Sequence, residues 1–440
     1  MRRNKIQEAS SFLEKGVLFL NENPKITEGF SRTYLYNDEP KVYYYVCYFK
    51  DKYSKNYSED SVAAGVSFNK ERALLKLFGE TIERYALTIN NNKKLIYGNY
   101  SSLKEIYKNI LNPLDVFSFS KKQMKGLKLN KKNLLSTKLH WVKGSSLLTN
   151  KHILIPAQLV FTPYVYQNSE PLIMWPLSTG AAAGQTLEDA LLNGICEVVE
   201  RDAFMIAYLN KLPCAKIDLN HLKNKKLQQI LDNLSRYNIE VHIIDITTDL
   251  KILAVAAILI DRTGQGPAVT VGLKAGLDVY DVIVGAIEEA IMLRTWIRDK
   301  FIYQDPEYKR KKVIQTIYDR AHYWFGVESI DHLDFWLKSK KLKIIEPKTL
   351  SSSQECLDKI LKLLKQKNIN VIYFNLTDKT IEKYKYKIVK VIIPALQPLY
   401  LDDFYPYFGK LRLYETPVNM KIFNRPKKEN QLNKIPHPFL

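Results

Sequence analysis

Apolar residues recur at helical spacing in three long segments, and we predict helices over about residues 70–90, 186–209 and 280–298. Short runs rich in Ile, Val, Ala and Tyr predict strands, such as IEVHIIDIT at 239–247 and ILAVAAILID at 252–261. Both kinds of element occur throughout the chain. The pattern predicts an α+β fold with mixed sheets.

Other segments are predicted in less detail. TYLYN at 33–37 and VYYYVCYF at 42–49 are typical of the two strands of a hairpin, interrupted at NDEP. Residues 300–380 are rich in Lys and are predicted to be mostly helical, and YKIVKVIIPALQPLY at 386–400 predicts a buried strand. The last thirty residues show little periodic structure.

No low-complexity linker divides the chain, so we predict one compact unit with elaborations. Its parts are a strand-rich N-terminal segment, residues 1–60, packed on a domain that spans residues 61–440. Within that domain, residues 300–385 resemble an insertion and residues 418–440 form a C-terminal tail.

Composition excludes several classes of protein. Hydrophobic residues make up 46% of the 440 residues, enough for a sizeable core. The longest apolar run, residues 252–260, is too short to span a bilayer, and the N-terminal sequence MRRNKIQEASSFLEKG lacks the apolar stretch of a signal peptide. The 4 Cys and 7 His residues form no CxxC, HExxH or mixed cluster. We therefore expect a soluble cytoplasmic protein without membrane association, disulfide framework or structural zinc.

The net charge of +20 has three explanations. The densest basic stretches, Ser120–Lys138 and Lys309–Lys312, lack the interleaved aromatic residues of a base-stacking platform. A solvated surface explains them best. Docking of an acidic peptide or protein is the second explanation, and nucleic-acid binding, suggested only by charge, ranks last.

Three predicted helices carry carboxylates and arginines within otherwise apolar sequence. ETIER in the first and EVVER in the second repeat the same spacing of two glutamates and an arginine on one helix face. The residues concerned are Glu80, Glu83 and Arg84; Asp189, Glu197, Glu200 and Arg201; and, on the third helix, Glu288, Glu289, Arg294 and Arg298.

A single such helix would be explained by a structural ion pair, because an unpaired buried carboxylate costs several kcal/mol. Three helices indicate that carboxylates converge, which requires neutralising cations. Oxygen ligands favour Mg²⁺, which proteins commonly share with phosphates. The small-residue stretch Ser178–Gly184 precedes the second helix and is predicted to be an anion-binding loop. Neither a Walker A nor a Rossmann motif is present.

Segments that carry these helices resemble, in order, the motifs of the YcaO family. SVAAGVSFNKERALLKLFGETIERYAL at 61–87 is similar to the first motif, STGAAAGQTLEDALLNGICEVVERDA at 178–203 closely resembles the second, and VGLKAGLDVYDVIVGAIEEAIMLR at 271–294 the third. IPALQPLYLDDFYPYFGKLRLYETP at 393–417 resembles the PGLxPL segment. LNKIPHPFL at 432–440 is similar to the proline-rich tail of the azoline-forming members.

The resemblance implies a YcaO fold in which helix carboxylates hold Mg²⁺ around an ATP-binding cleft. By position, the implied Mg²⁺ ligands are Glu80, Glu83, Glu197 and Glu200. The implied nucleotide contacts are these glutamates with Arg84, Gln185, Asp189, Arg201 and Glu289. The tail residues Pro436, His437, Pro438 and Leu440 are implied to reach the active site and help to orient it for catalysis.

Five positions depart from the family pattern. Gln185 replaces Asn, Asp189 replaces Glu, Lys76 replaces Ser, Met292 replaces Gln and Leu440 replaces Pro. Gln and Asp keep the required atoms with altered reach, whereas Met292 loses a hydrogen-bonding group. All four glutamates and both arginines remain, so we expect an active enzyme.

The resemblance implies an ATP-dependent cyclodehydratase subunit that makes thiazolines or oxazolines from Cys, Ser or Thr of a ribosomal, bacteriocin-like precursor peptide. Expected partners are that peptide, a ThiF-like leader-binding protein in trans, a separate flavin dehydrogenase if azoles are made, and a second copy of the chain. An enzyme that makes a thioamide or amidine through the same amide activation is the alternative. A non-catalytic scaffold is the alternative from another class.

Overall fold

The computed structural model describes residues 2–50, 62–88, 95–127, 129–166, 170–302, 314–347 and 352–440. Contacts group the chain into two compact units. Unit 1 comprises Met1–Thr33, Tyr43–Val198 and Ser352–Ala395, and unit 2 comprises Tyr34–Val42, Val199–Ser351 and Leu396–Leu440. Each unit is therefore assembled from three separate segments of the chain.

The described residues form fourteen α-helices and fourteen strands. The helices are α1 (Arg2–Glu22), α2 (Lys70–Thr88), α3 (Tyr100–Ile106), α4 (Pro113–Val116), α5 (Lys121–Gly126), α6 (Lys131–Ser136), α7 (Leu187–Leu209), α8 (Lys225–Ser235), α9 (Val279–Ile302), α10 (Ile317–Tyr323), α11 (Asp334–Leu337), α12 (Ser353–Gln366), α13 (Lys379–Glu382) and α14 (Leu411–Asn419). The strands are β1 (Thr27–Arg32), β2 (Tyr43–Phe49), β3 (Val62–Ser67), β4 (Ile96–Gly98), β5 (Leu139–Ser146), β6 (His152–Pro156), β7 (Ala181–Gly184), β8 (Ala215–Ile217), β9 (Ile239–Asp245), β10 (Leu253–Asp261), β11 (Val269–Gly276), β12 (Leu342–Lys343), β13 (Ile372–Asn375) and β14 (Lys387–Ile392).

Unit 1 contains two antiparallel sheets. One has the strand order β1-β2-β3, and the other has the order β4-β5-β13-β14-β7 with β6 paired to β5. Helix α2 packs on β3 so closely that a Cβ atom at Gly65 would lie 2.0 Å from the carbonyl oxygen of Ala73. Helix α1 packs on α2 through Gly16 and the fully buried Phe19. These contacts fix α2 between the small sheet and α1.

Unit 2 is built on one five-stranded sheet of order β11-β10-β9-β8-β12, whose β8–β12 pair is parallel and whose other pairs are antiparallel. Strand β10 is almost wholly buried, as expected for an unbroken apolar run. Helix α9 packs on β11, and a Cβ atom at Gly272 would lie 2.1 Å from the carbonyl oxygen of Ala286. The same glycine-mediated contact between helix and strand therefore occurs in both units.

A buried network of charges ties the segment Tyr34–Val42 to α9 within unit 2. Arg294 donates hydrogen bonds to Glu39 at 2.9 and 3.0 Å and to Asp261 at 2.7 Å. Arg298 donates to Glu39 at 2.6 Å and to Asp38 at 2.7 Å. Glu39 is 0% exposed and Arg294 is 2% exposed. Two of the arginines that the sequence placed with the acidic helices are thus committed to a structural ion network.

The structure confirms the α+β class and the three long helices, which are α2, α7 and α9. Other predictions were wrong. Residues Arg2–Glu22 form helix α1 within a segment predicted to be strand-rich, and TYLYN at 33–37 is not a strand because β1 ends at Arg32. The last thirty residues begin with helix α14, although little periodic structure was expected there. The described part of residues 300–380 is mostly helical, as predicted, and adds the short strands β12 and β13. The basic stretch Lys309–Lys312 lies outside the described residues.

None of the helices in the described ranges is long and apolar enough to cross a membrane. The predicted boundaries at residues 60, 300, 385 and 418 stay predictions.

Candidate active site

Helix α2 presents its carboxylates beside strand β3. The backbone N–H of Ala64 donates to Oε2 of Glu80 at 3.1 Å, next to the glycine that lets helix and strand approach. Arg84 donates to the other oxygen of Glu80, Nε at 2.8 Å and Nη2 at 2.7 Å. The one-turn spacing of the sequence motif therefore produces the ion pair expected at i and i+4.

The turn before α7 departs from the predicted anion-binding loop. Ala181–Gly184 form strand β7, so only Gln185 and Thr186 connect this strand to the helix. Thr186 and Asp189 cap α7 reciprocally: each backbone N–H donates to the other's side chain, at 3.1 and 3.2 Å. The prediction of a loop over the whole of Ser178–Gly184 was therefore wrong, because the alanines pair with β14.

Gly180 makes the tightest turn of this region. Its φ is +85°, and a Cβ atom here would lie 2.2 Å from the carbonyl oxygen of Val391, so only glycine fits without displacement. Its N–H donates to Oε2 of Glu197 at 3.0 Å. A backbone amide therefore holds each of two glutamates: the N–H of Gly180 holds Glu197, and the N–H of Ala64 holds Glu80.

Glu80, Glu83 and Glu197 form an electrostatically coupled group in unit 1, here called the acidic cluster. Burial raises the pKa of Glu83 well above its usual range, and the negative charges of Glu197 and Glu80 raise it further. Arg84 and Lys390 oppose the shift without cancelling it. At Glu83, burial and the two neighbouring carboxylates together therefore outweigh the opposing effect of Arg84 and Lys390.

Lys390 is a member of this site that sequence reasoning missed. It lies on β14, is 3% exposed, and donates from Nζ to the carbonyl oxygens of Leu177 and Thr179. Burial lowers its pKa to about 8 despite the opposing influence of Glu197 and Glu83. A lysine inside the apolar run KIVKVII was the available signal, since such residues are rarely buried unless paired.

The division between the units falls within α7, and unit 2 contains the next candidate site residues on this helix, Glu200 and Arg201. The backbone N–H of Ala275 donates to Oε2 of Glu200 at 3.2 Å, and that of Leu273 donates to Oε2 of Glu289 at 2.5 Å. Arg201 lies 3.4 Å from Glu200 and 3.8 Å from Glu289. Unit 2 therefore brings Glu200, Arg201 and Glu289 close together, and their roles in binding metal and nucleotide stay predictions.

The C-terminal tail is anchored within unit 2. The carbonyl oxygen of Pro436 accepts from the hydroxyl of Tyr208 at 3.0 Å and from Trp324 at 3.1 Å. Phe439, which sequence reasoning did not single out, is 2% exposed and lies under the guanidinium of Arg201, 4.0 Å from ring centroid to Cζ. The tail thereby reaches a residue of the second motif.

His437 itself is fully buried, and its Nε2 donates to the carbonyl oxygen of Tyr400 at 2.7 Å. Burial, reinforced by the charge of Arg320, lowers its pKa well below the usual range, so the ring is neutral. Pro438 is also buried, and Pro436 and Leu440 are partly exposed. The burial of His437 favours a positioning role for this residue, and catalytic roles for the four tail residues stay predictions.

The donor chemistry of the acidic cluster fits Mg²⁺, which prefers carboxylate oxygens and keeps several waters or phosphate oxygens as further ligands. Within the part of the chain that the structure describes, no three His, Cys, Asp or Glu side chains are already arranged as a metal site. Protein carboxylates alone therefore do not close a coordination shell here. The shared repulsion at Glu83 is the feature that a bound cation would relieve.

The raised pKa of Glu83 predicts that Glu83→Gln stabilises the protein when Mg²⁺ and nucleotide are absent. Because the folded state holds the Glu83 proton more tightly, wild-type stability is lost as pH rises from the usual Glu pKa through the raised one. Glutamine has no such loss. We expect a Tm gain of roughly 2–4 °C at pH 8, equivalent to about 1 kcal/mol for a domain of 150–250 residues, and a smaller gain at pH 5.

Differential scanning fluorimetry across this pH range measures the effect. Glu71→Gln is the matched control, because Glu71 is exposed on the same helix and its replacement should give no gain that grows with pH. A Glu83→Gln variant that is no more stable than wild type at any pH would contradict the coupled acidic cluster.

A family model described as YcaO cyclodehydratase, ATP- and Mg²⁺-binding, matches residues 64–397 of the chain. In sequence the chain is similar to an uncharacterized protein of Methanothermobacter thermautotrophicus, 24% identical over 274 residues, which are 61% of this chain and 68% of that protein.

Among solved structures, a heterocyclase in complex with substrate and cofactor matches 96% of the chain with a TM-score of 0.79 and 21% identity. The chain spans 57% of that heterocyclase's length. A YcaO from Methanopyrus kandleri, bound with AMPPCP and Mg²⁺, matches 88% of the chain and 91% of its own length, with a TM-score of 0.64 and 15% identity. One chain of a microcin synthetase complex from E. coli, McbBCD, matches 83% of this chain over 88% of its own length, with a TM-score of 0.58 and 16% identity.

Proposed function

Since the chain belongs to the YcaO family, we propose that it is an ATP- and Mg²⁺-dependent cyclodehydratase that converts Cys, Ser or Thr residues of a precursor peptide into azolines. The observation that carries the proposal is the acidic cluster, in which the half-buried carboxylate of Glu83 lies within the electrostatic field of Glu80 and Glu197. Keeping such repulsion in a fold is costly unless a cation is bound in function.

The roles assigned to residues follow the family pattern and the contacts within each unit. Within unit 1, Mg²⁺ would be held by Glu80, Glu83 and Glu197, and ATP would supply the phosphoryl group that makes the peptide oxygen a leaving group. Glu200 keeps the Mg²⁺-binding role that its position in the second motif implies. Arg84 is oriented by its ion pair with Glu80.

The remaining roles concern the nucleotide. Arg201, placed near Glu200 and Glu289 and stacked on Phe439, presents a fixed positive charge of the kind that stabilises developing negative charge. Gln185 and Asp189 flank the start of α7, where the helix dipole favours an anion. With Glu289, these residues are the proposed nucleotide contacts.

The proposed reaction removes one water from the peptide for each azoline formed. The side-chain sulfur or oxygen bonds to the preceding carbonyl carbon and loses its proton. The former carbonyl oxygen leaves as part of phosphate, the amide nitrogen loses its proton, and a C=N bond forms, with ADP as the other product. The chain's contribution is to position the peptide and to exclude water.

We assign a precursor peptide and a ThiF-like leader-binding protein as partners, with a flavin dehydrogenase where azoles are the product. The similarity to a heterocyclase in complex with substrate and to a subunit of the microcin synthetase complex supports these assignments. Homodimer formation and a cytoplasmic location belong to the same proposal. The net charge of +20 would favour an acidic leader or partner surface.

The purified chain, incubated with ATP, Mg²⁺, a Cys- and Ser-rich precursor and the ThiF-like protein, tests the proposal. Mass spectrometry should show the loss of one water per modified residue, together with ADP formation. A gain equal to the sulfur–oxygen mass difference would instead establish thioamidation. An unchanged peptide and no ADP would contradict the enzymatic proposal and favour the scaffold.

A further inference from the structure

Lys390 occupies a place that the proposed function has not yet used. It lies on β14 opposite Ala181 of β7 and is 3% exposed. Burying an ammonium group costs several kcal/mol unless hydrogen bonds and opposite charges compensate for lost hydration. A buried lysine therefore requires compensating interactions, and the contacts of Lys390 show what these are.

Lys390 anchors the backbone of the turn before β7. Its Nζ donates to the carbonyl oxygens of Leu177 and, at 2.8 Å, Thr179. The neighbouring N–H of Val391 donates to the carbonyl oxygen of Gly180 at 2.7 Å. Three of the turn's carbonyl oxygens are thereby turned towards β14, while the N–H of Gly180 is directed to Glu197.

Lys390 is also a cation within the field of the acidic cluster. Glu197 and Glu83 both act on its ammonium group, and it acts in return on Glu83. Arg84 is the other cation that acts on Glu83, and it is already paired with Glu80 at 2.7 Å. The charge of Lys390 is thus coupled to the charges of both Glu83 and Glu197.

We propose that Lys390 is a positioning residue with two separable effects: its hydrogen bonds hold the Leu177–Gly180 turn that fixes Glu197, and its fixed charge limits the affinity of the acidic cluster for divalent cations before nucleotide binds. This inference rests on the proposed function. It adds a residue that affects both the affinity for Mg²⁺ and the affinity for nucleotide. Removing Lys390 is predicted to lower the Kd for Mg²⁺ and to raise the Kd for nucleotide.

Two substitutions separate the effects. Lys390→Met removes both the hydrogen bonds and the charge at nearly constant volume, whereas Lys390→Gln removes the charge and keeps a donor for the turn carbonyls. Isothermal titration at neutral pH, first with Mg²⁺ alone and then with a non-hydrolysable ATP analogue at saturating Mg²⁺, measures both constants without turnover.

For Lys390→Met we expect the Kd for Mg²⁺ alone to fall about tenfold, because a nearby positive charge is lost, and the Kd for the analogue to rise about tenfold, because the turn is released. For Lys390→Gln we expect the same fall for Mg²⁺ with a smaller rise for the analogue. Lys387→Met is the matched control, since Lys387 lies on the same strand but pairs with Glu382 at 3.0 Å, and neither constant should change.

Unchanged constants in both folded Lys390 variants, with wild type binding Mg²⁺ and analogue, would overturn the inference and leave the proposed function standing. A wild-type chain that binds neither ligand would overturn both. If Lys390→Met does not fold, the Lys390→Gln result decides alone: a Mg²⁺ affinity equal to that of wild type rejects the charge effect, and a tighter one supports it.

Discussion

Replacing Glu197 by glutamine should lower the rate of azoline formation by about 10²–10³-fold, the loss typical of removing one preorganised electrostatic group from an active site. Glutamine keeps the size of the side chain and an oxygen that can accept from the N–H of Gly180, which Glu197 does at 3.0 Å. The turn should stay in place while the negative charge is lost. The expected defect therefore lies in metal-dependent chemistry and not in folding.

The rate is measured by following peptide mass and ADP release at several Mg²⁺ concentrations. We expect the variant to need more Mg²⁺ for half-maximal rate as well as to have a lower kcat. Glu188→Gln is the matched control, because Glu188 lies on the same helix outside the acidic cluster and should leave the rate within about twofold. A Glu197→Gln variant with wild-type kcat and Mg²⁺ dependence would remove this residue from the proposed metal site.

Replacing Arg294 by methionine should destabilise the protein by about 3–5 kcal/mol, because one partner of a buried ion network is removed and its carboxylates remain. Glu39 and Asp261 are 0% and 2% exposed, and both accept hydrogen bonds from Arg294. In the variant, Arg298 would still donate a hydrogen bond to Glu39. Asp261 would lose the hydrogen bond and the positive charge that Arg294 supplies. Urea unfolding measures the loss, with hydrogen exchange on β10 as a readout specific to unit 2.

An exposed ion pair in the same unit provides the comparison. Arg262 and Glu240 lie 2.8 Å apart with side chains that are 60% and 45% exposed. Arg262→Met should therefore cost at most about 1 kcal/mol. Similar losses for Arg262→Met and Arg294→Met would show that burial does not determine the strength of these interactions, which would contradict the expectation.

The long helices of the fold could be predicted because their own sequences carry the information. Helices α2, α7 and α9 have sustained apolar periodicity. In α2 and α7 a glutamate stands one turn before the arginine, so local spacing alone places Glu80 beside Arg84. The α+β class followed from the same patterns.

Features that depend on distant partners could not be predicted. Helix α1 is stabilised by packing on α2 at Gly16 and Phe19. Its own sequence is rather polar and does not indicate this packing. Ala181–Gly184 becomes a strand because β14, some two hundred residues later, offers it hydrogen bonds. Arg294 was grouped with a candidate site from its helix, although its partner Glu39 lies far upstream. Sequence spacing specifies neighbours along a helix and not partners across a fold.

The backbone amides that hold the glutamates have a consequence for ion selectivity. One carboxylate oxygen of Glu197 is committed to Gly180, and one of Glu200 to Ala275. If these residues bind Mg²⁺ as proposed, the hydrogen bonds would favour monodentate coordination, because an oxygen that already accepts a hydrogen bond is the weaker metal ligand. Monodentate coordination suits the small octahedral shell of Mg²⁺, whereas Ca²⁺ takes more oxygens and often binds both from one carboxylate. In the proposed site, the amides of Gly180 and Ala275 should therefore favour Mg²⁺ over Ca²⁺ without contacting the ion.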